Sequence, residues 1–457
     1  MSALNVMTVN TEQTVYTLVV GLGKTGLSVV RYLRALGETV VVVDSRDVPP
    51  GLATLKNEYA DVECFTGRFD ESLFVKARRI IVSPGVALTE PALVVAKHGG
   101  VEIIGDIDLF SHEAQAPVVG ITGSNGKSTV TTLLALMAKQ TGKNAVASGN
   151  IGLPVLDSLD DDVDLYLLEL SSFQLETLQY LPMKAAVVLN ISADHLDRYE
   201  SLSAYASSKQ VIYDNAEVLV LNKDDALANR VSVSAKNQIK FTLGVPGDNE
   251  FGLVDKNDGS SALYLGKQRL IAVDELSIKG SHNVQNALAA LALGHAIGLP
   301  MTSMLNTLKE FKGLSHRTQL VATINDVDWI NDSKATNVGA TIAALVGLPG
   351  KHVLIAGGDA KGADFSELTE IIEQHCRAVV LMGKDAARIA SIIPEGILVE
   401  QVVDMQSAVL AAQAFAQPGD NVLLAPACAS FDMFNDFEHR GDVFAATVES
   451  LLEVASS

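Results

Sequence analysis

A glycine-rich segment, Gly120–Thr129, carries the residue types that bind nucleoside triphosphates. Glycines let backbone N–H groups point at phosphate oxygens, Lys127 can reach the β- and γ-phosphates, and the Ser128 hydroxyl is a ligand for Mg²⁺. The full P-loop pattern has a glycine where this chain has Ile121; here the glycine is Gly123, which gives the shorter G-x-x-G-K-S. Because a predicted strand precedes the segment and a predicted helix follows it, we expect it to bind the phosphates of ATP or GTP.

A second glycine-rich turn stands near the start of the chain. Gly21–Gly26 fits G-x-G-x-x-G between a predicted strand and a predicted helix, and Asp44 ends the next predicted strand. This combination is the fingerprint of NAD and NADP sites, where the acidic side chain binds a ribose. The same turn suits other diphosphates, because any of them can sit at a helix N-terminus. The sequence therefore predicts a diphosphate site and leaves the nucleotide open.

Polar and charged side chains follow several further predicted strands. Glu169 ends one strand, where a carboxylate faces the phosphate crevice and suits Mg²⁺, although glutamate is also common at helix starts. Asp194–Arg198 places a histidine between two aspartates on a loop after a strand, which fits a metal or phosphate site and equally a surface loop. Asn331–Asn337 and Gly357–Gly362 gather donors and lysines at strand ends, which suggests an anion site.

The elements that must position these residues alternate between short apolar runs and helical periods. Runs rich in Val and Ile, each followed by a helical period, indicate βα units and parallel sheets. Residues 238–273 differ, since short alternating runs separated by Gly, Asp and Asn predict antiparallel hairpins. We predict an α/β fold of three domains on largely parallel sheets: a Rossmann-like domain (1–105), a P-loop domain with added hairpins (106–313) and a second Rossmann-like domain (314–457).

Composition excludes several functional classes. The chain of 457 residues has 34 Lys and Arg against 54 Asp and Glu, a formal net charge of −20. This balance argues against binding duplex nucleic acid or an anionic membrane surface, both of which require basic faces. It does not exclude small anionic ligands, because local cations can outweigh a distant negative surface.

Hydrophobicity and cysteine usage predict the compartment. Hydrophobic residues make up 48% of the chain, yet no run of about 18 uncharged apolar residues occurs, so we expect no membrane insertion. The three cysteines are far apart and form no C-x-x-C, and no basic and apolar leader opens the chain. We therefore expect a cytoplasmic protein with reduced thiols.

Taken together, these segments resemble the Mur ligase family, the ATP-dependent amide ligases of peptidoglycan precursor synthesis, over nearly the whole chain. The segments that carry the resemblance are Gly120–Thr129, Ser148–Gly152, Glu169–Leu175, Asp194–Tyr199, His282–Ala287, His316–Arg317, Asn331–Asn337 and Pro426–Asp432. Ala425 stands where many relatives have a serine, whereas Ser430 is retained.

Within the family, the short N-terminal domain and the loops with Lys361 and Ser430 favour the members that join D-glutamate to UDP-N-acetylmuramoyl-L-alanine. A diaminopimelate- or polyglutamate-adding ligase is the main alternative. An NAD-dependent oxidoreductase is a further alternative, but it leaves the P-loop unexplained.

The resemblance implies a set of site residues and cofactors. ATP would activate the alanyl carboxylate as an acyl phosphate, which the amine of D-glutamate attacks. The catalytic residues would be Lys127, Glu169, His195 and Lys209. Two Mg²⁺ ions would be held by Ser128, Glu169, His195 and Lys209, the last as a carbamate. ATP would bind Gly123, Ser124, Asn125, Gly126, Lys127, Ser128, Thr129, Asn283, Asn286, Arg317, Asp332 and Lys334.

The remaining implied residues bind the two other substrates. The UDP-containing substrate, rather than NAD, would occupy the first glycine turn. Its ligands would be Gly23, Lys24, Thr25, Ser45, Arg46, Ser83, Pro84, Gly85, Asn150, Ser171, Gln174 and His195. D-Glutamate would bind Thr336, Lys361, Ser430, Phe431 and Phe437. The expected partners are these small molecules, and we expect a monomer that binds no nucleic acid.

Overall fold

The computed structural model describes residues 15–194, 198–230, 237–255, 259–278 and 280–455. Elements are numbered in chain order. The described residues form two compact units. One comprises residues 15–115, Ser148–Asp161 and Phe173–Leu181; the other comprises Ala116–Ala147, Asp162–Ser172 and the described residues from Pro182 onward.

The first unit is built on a parallel five-stranded sheet in the order β3-β2-β1-β4-β5. Its strands are β1 Thr17–Val20, β2 Val40–Asp44, β3 Glu63–Thr66, β4 Arg79–Val82 and β5 Glu102–Ile104. Its helices are α1 Lys24–Ala35, α2 Leu52–Glu58, α3 Glu71–Lys76, α4 Pro91–His98 and α5 Asp106–Glu113, with most of α7 Ser172–Thr177. Continuous runs such as Val40–Val43 are buried, because helices cover a parallel sheet on both faces.

The second unit contains a nine-stranded sheet in the order β14-β13-β12-β11-β10-β9-β6-β8-β7. Its strands are β6 Val118–Thr122, β7 Ala145–Gly149, β8 Leu165–Glu169, β9 Met183–Val188, β10 Ala216–Asn222, β11 Asn237–Thr242, β12 Glu250–Asp255, β13 Ser261–Leu265 and β14 Gln268–Ala272. The helices that accompany it are α6 Lys127–Lys139, α8 Leu202–Gln210, α9 Ser281–Ala296 and α10 Met301–Glu310. The Ala- and Leu-rich helix α9 is buried among α6 and the strands, so its apolar length serves the core.

The predicted hairpins over residues 238–273 are partly wrong. Among the described strands of this segment, only β12–β13 and β13–β14 pair antiparallel, whereas β11 lies parallel to both β10 and β12. The sequence pattern also missed β12 itself. Alternation reports which face of a strand is buried, but it does not report the direction of its neighbour.

A six-stranded sheet follows in the same unit, in the order β15-β16-β20-β17-β18-β19. Its strands are β15 Gln319–Ile324, β16 Val327–Asn331, β17 His352–Ala356, β18 Cys376–Leu381, β19 Leu398–Gln401 and β20 Asn421–Leu424, of which β15 and β16 pair antiparallel. Its helices are α11 Val338–Gly347, α12 Leu368–His375, α13 Ala386–Ala390, α14 Met405–Phe415 and α15 Phe437–Ala455. Separate apolar cores cover its two faces.

The predicted fold class, α/β on largely parallel sheets, is confirmed by these three sheets. Along the described chain, every helix is too short or too polar to cross a bilayer. The carboxyl ends of β6, β8, β16 and β17 lead into the loops that the sequence singled out, and this arrangement positions the site.

Candidate active site

The loop after β6 has the backbone of a phosphate site. Gly123 and Gly126 have φ values of +151° and +83°, which side chains with a Cβ rarely adopt. A Cβ at Gly126 would also lie 2.3 Å from Oδ1 of Asn286. The loop therefore requires glycine at this position both for its backbone conformation and for its contact with α9.

Two cations lie against this loop. Lys127 Nζ donates to the carbonyl oxygens of Gly123 at 2.7 Å and Ser124 at 2.8 Å, and Arg317 Nη2 donates to Ser128 Oγ at 2.7 Å. Burial lowers the pKa of Lys127, while the negative charge of Glu169 opposes that shift. Arg317 comes from the segment before β15, so the last third of the chain contributes a charge to the P-loop.

The loop after β9 is bonded to the P-loop. The backbone N–H of Asn125 donates to Asn190 Oδ1 at 2.8 Å, and Asn190 Nδ2 donates back to the Asn125 carbonyl at 3.1 Å. The backbone N–H of Ser192 donates to Ser124 Oγ at 3.0 Å. These bonds fix the loop that leads to Asp194. The next predicted site residue, His195, lies outside the described residues.

A cavity of about 270 Å³ adjoins the P-loop. It brings together most of the predicted ATP ligands: Asn125, Gly126, Thr129, Asn283, Asn286, Arg317, Asp332 and Lys334. Burial raises the pKa of Asp332 to about 6, although Arg317 opposes the shift. Burial lowers the pKa of Lys334 to about 8, helped by the nearby charges of Arg317 and Lys127.

Two lining residues of this cavity, His282 and Thr318, received no role from the sequence. His282 Nε2 lies 3.2 Å from Thr318 Oγ1, and burial lowers the pKa of His282 to about 4, so its ring is neutral at pH 7. His282 stands inside a segment that carried the family resemblance and could have been found there. Thr318 gave no sequence signal; its backbone has φ +46°, a conformation that a β-branched residue rarely adopts.

Glu169 and Lys209 are both buried near the P-loop. Glu169 is the last residue of β8 and is 2% exposed, and its charge acts on Lys127 and Arg317. Lys209, on α8, is 1% exposed, and its Nζ lies 4.7 Å from the centroid of the Tyr205 ring. Burial and the charge of Lys127 hold the pKa of Lys209 well below its usual range, against the pull of Asp194 and Glu169.

A metal at this point would find oxygen donors. Among the described residues, no three His, Cys, Asp or Glu side chains form a cluster that could hold a metal ion. The Ser128 hydroxyl and the Glu169 carboxylate are hard oxygen ligands, and Mg²⁺ in nucleotide sites takes one or two such ligands together with phosphate oxygens. The donor set therefore fits Mg²⁺ bound with a nucleotide.

A second cavity of about 380 Å³ lies in the same unit. The predicted amino-acid ligands Thr336 and Lys361 line it. Lys361 and the lining residue Ala427 have φ values of +48° and +59°, a costly conformation for residues with a Cβ that is often found at functional sites. Ser192 and Gly339 line both cavities, so the two cavities adjoin there.

The other predicted amino-acid ligands occupy different surroundings. Ser430 is buried directly after a lining residue of the second cavity. Phe431 is exposed, and Lys361 Nζ lies 5.8 Å from the centroid of its ring. Phe437 instead lies under Lys334, whose Nζ is 3.8 Å from the ring centroid, and thereby supports a cation of the first cavity.

A third cavity, of about 480 Å³, lies in the first unit. It collects nearly all the residues predicted for the UDP-containing substrate: Gly23, Lys24, Thr25, Ser45, Arg46, Ser83, Pro84, Gly85, Asn150 and Gln174. Ser171, predicted with them, belongs to the second unit.

Asp44 in this cavity differs from the acidic residue of an NAD site. Its Oδ2 accepts from the Leu22 N–H at 2.7 Å and Arg46 Nη2 at 2.6 Å, and its Oδ1 accepts from the Arg46 N–H and Nε, both at 2.9 Å. Burial would raise the pKa of Asp44, but these bonds outweigh it and lower the pKa. A carboxylate with four donors has no lone pair left for ribose hydroxyls. Asp44 is therefore not available to ribose hydroxyls in the way that the acidic residue of an NAD site is.

Three family models match the chain in succession. They are the Mur ligase MurD-like N-terminal domain over residues 15–105, the Mur ligase middle domain over 121–294 and the Mur ligase glutamate ligase domain over 316–428.

Curated relatives and solved structures agree with these models. Proteins named UDP-N-acetylmuramoylalanine–D-glutamate ligase from Nitrosococcus oceani and Pseudomonas aeruginosa are each 50% identical over 95% of this chain and cover 97% and 98% of their own lengths. The UDP-N-acetylmuramate-alanine ligase of Thermotoga maritima shares the fold with a TM-score of 0.59 at 20% identity, over 95% of this chain and 99% of that one. The chain therefore belongs to the Mur ligase family, the ATP- and Mg²⁺-dependent amide ligases of peptidoglycan precursor synthesis.

Proposed function

We propose that this protein joins D-glutamate to the alanyl carboxylate of UDP-N-acetylmuramoyl-L-alanine and releases ADP and phosphate. The observation that carries the proposal is the adjoining pair of cavities, one at the P-loop and one lined by Lys361, which meet at Ser192 and Gly339. A ligase that transfers a phosphoryl group and then accepts an amine needs its nucleotide and its amino acid side by side. Relatives that carry this activity in their names and are half identical to the chain supply the substrate identities.

The first step overcomes the low reactivity of a carboxylate. An oxygen of the alanyl carboxylate attacks the γ-phosphorus of ATP, a P–O bond forms, and the bond to ADP breaks, which yields an acyl phosphate. Two anions must approach each other, so charge neutralisation and positioning provide most of the catalysis. Arg317 and Lys334 line the cavity where this charge builds up, and Lys127 lies against the adjoining P-loop.

The second step forms the amide. The amine of D-glutamate attacks the acyl carbon, the C–N bond forms, phosphate leaves with the C–O electron pair, and the nitrogen loses its extra proton. In the proposed geometry D-glutamate lies in the second cavity, where Lys361 pairs with a carboxylate of the amino acid. Thr336, Ser430, Phe431 and Phe437 are proposed to complete its surroundings.

Metal binding is assigned to the donors around the P-loop. Ser128, Glu169 and His195, with Lys209 as a carbamate, are proposed to hold two Mg²⁺ ions. When bound, Mg²⁺ supplies positive charge to phosphate oxygens and to the transferred group. The Lys209 proposal draws support from the burial of its side chain, which is 1% exposed, and from the pKa of its amine, which burial holds well below the usual range. The neutral amine, which burial favours, would attack carbon dioxide and lose a proton, and the carbamate so formed would be an anionic oxygen ligand.

The remaining assignments follow from the cavities and the chemistry. The cavity of the first unit is proposed to hold the UDP part of the substrate through Gly23, Thr25 and Arg46. The roles fall to three domains with the predicted bounds: 1–105 for UDP, 106–313 for ATP and 314–457 for the amino acid. The three cysteines are free thiols, and with the need for ATP they support a cytoplasmic location. The monomeric state stays a prediction.

A phosphate-release assay tests the proposed function. Phosphate and ADP should appear only when UDP-N-acetylmuramoyl-L-alanine, D-glutamate, ATP and Mg²⁺ are all present, and omission of any one should abolish turnover. L-Glutamate, L-lysine and diaminopimelate serve as amino-acid controls. Equal turnover with one of these would refute the specificity for D-glutamate, and NAD bound to the purified protein would favour the oxidoreductase alternative.

A further inference from the structure

Asn337 stands where the two adjoining cavities meet, and its side chain is engaged at both ends. Its Oδ1 accepts from the backbone N–H of Ala340 at 2.8 Å and so caps helix α11. Its Nδ2 donates to Asp194 Oδ2 at 3.2 Å and approaches Asn125 Oδ1 at 3.4 Å. Asn337 is 8% exposed, so these bonds are shielded from water.

The amide group thus connects three segments that come from distant parts of the chain. Asn125 belongs to the P-loop, Asp194 follows β9, and Asn337 itself directly follows Thr336, the proposed ligand of the amino acid. Capping a helix needs only the side-chain oxygen. The two contacts of Nδ2 are therefore additional to the local role of the residue.

A second observation shows that α11 must approach these loops closely. A Cβ at Gly339, in the first turn of α11, would lie 2.9 Å from Cβ of Ser192, so a larger residue would push the helix away. Ser192 in turn bonds the P-loop through Ser124. The start of α11 is therefore packed against the same loop network that Asn337 joins through its amide.

We propose that Asn337 is a positioning residue that couples the P-loop and the Asp194 loop to the amino-acid segment at Thr336. Through it, the attacking amine and the transferred phosphoryl group are held at a set separation. A misplacement of reacting groups by about 1 Å can cost about a hundredfold in rate, so a single bridging amide has a measurable effect. The inference rests on the proposed ligase function, because its kinetic readout is D-glutamate-dependent turnover.

Two substitutions separate bridging from capping. Asn337→Ser and Asn337→Asp keep an oxygen that caps α11 but remove the amide donor, and the aspartate also places a carboxylate beside Asp194. We expect kcat to fall about 10-fold for Asn337→Ser and about 100-fold for Asn337→Asp, the equivalents of about 1.4 and 2.7 kcal/mol. For Asn337→Ser, the KM for ATP should stay within about twofold and Tm within about 2 °C. Asn337→Asp should also lower Tm, because its carboxylate is buried beside that of Asp194.

Asp404→Ala provides the matched control. Asp404 caps α14 of the same sheet through the Ser407 N–H at 2.8 Å, is exposed, and lines neither cavity. Its loss should lower Tm without changing kcat. If Asn337→Ser and Asn337→Asp turn over like the wild type, or if Asn337→Ala changes only Tm as Asp404→Ala does, Asn337 is merely a cap and the inference is wrong.

Hydrogen exchange gives a readout that does not need the ligase reaction. A non-hydrolysable ATP analogue at the P-loop should slow amide exchange in the first turn of α11 of the wild type, and this slowing should vanish in Asn337→Ser. Equal slowing in both proteins would overturn the coupling. A wild type that shows the coupling but no D-glutamate-dependent turnover would refute the proposed function and leave the role of Asn337 intact.

Discussion

Two glycines in the turn of the first unit, Gly23 and Gly26, have different structural roles, and an alanine substitution at each position tests this difference. A Cβ at Gly26 would lie 2.0 Å from the Gly21 carbonyl oxygen, whereas a Cβ at Gly23 would meet nothing within 4 Å. Gly23 lines the cavity, and its φ of −96° is open to alanine. Gly26 therefore permits helix–strand packing, and Gly23 permits a ligand to approach.

The expected sizes follow from these distances. In Gly26→Ala the turn and α1 must separate by more than 1 Å, and because the obstacle is backbone we expect a loss of about 3 kcal/mol, the upper end for overpacking. At roughly 2–4 °C per kcal/mol, Tm should fall by about 6–12 °C. Gly23→Ala should melt like the wild type or slightly higher, because alanine restricts the unfolded chain. Its added methyl group should weaken uridine diphosphate binding at least about tenfold.

Scanning calorimetry and titration calorimetry with uridine diphosphate measure the two effects separately. The wild type, Gly23→Ala and Gly26→Ala should be compared in one buffer, so that each variant serves as the control for the other. If Gly26→Ala melts with the wild type, the packing argument is wrong. If Gly23→Ala binds uridine diphosphate as tightly as the wild type, the ligand does not lie against the turn.

Three further predictions concern the second unit. Lys209→Ala should lose most of its activity and regain part of it when short carboxylates are added, because a carboxylate can replace the carbamate oxygens; full activity in the variant would refute the carbamate. The pKa of Lys334 is about 8, so this cation is present below pH 8 and is lost as the pH rises through 8. The kcat/KM for ATP should therefore decline across that range, and Lys334→Arg should shift the decline to higher pH. Identical pH profiles of the two proteins would show that Lys334 is not the group whose titration causes the decline. Arg440 is 1% exposed, its pKa is lowered to about 10 by burial, and it donates to Ser333 Oγ, Ser333 O and Cys428 O. Arg440→Met should lower the free energy of unfolding in urea by about 2–4 kcal/mol, because two buried carbonyls lose a donor. As a control, substitution of the half-exposed Arg388 by Met should lower it by less than about 0.5 kcal/mol. Equal stabilities of the two variants would show that the hydrogen bonds of Arg440 only offset its desolvation.

Local signals in the sequence were sufficient for the glycine turns and the βα pattern. The parts of a P-loop lie next to one another in the sequence, since the strand, the glycines, Lys127 and Ser128 follow in direct succession. The apolar strands likewise showed the parallel sheets, because burial on both faces leaves a continuous run. These features depend on neighbours along the chain.

Features that depend on distant neighbours were not predictable in this way. The parallel pairing of β11, the cavity wall at Thr318 and the bridge at Asn337 each arise from segments that meet only in the folded protein. The pairing of Asp44 with Arg46 was missed for another reason. The two residues are only two positions apart in the sequence, but their spacing does not show that Arg46 donates hydrogen bonds to the Asp44 carboxylate; the structure does.

That pairing has a consequence for how such motifs are used. A glycine turn followed by an acidic residue at the next strand end occurs in dinucleotide sites and in this chain, so the motif alone does not identify the ligand. In this chain the arginine two positions later neutralises the carboxylate and takes up its lone pairs. A motif search for dinucleotide sites therefore gains discrimination when it also asks which donors stand within two residues of the acidic position.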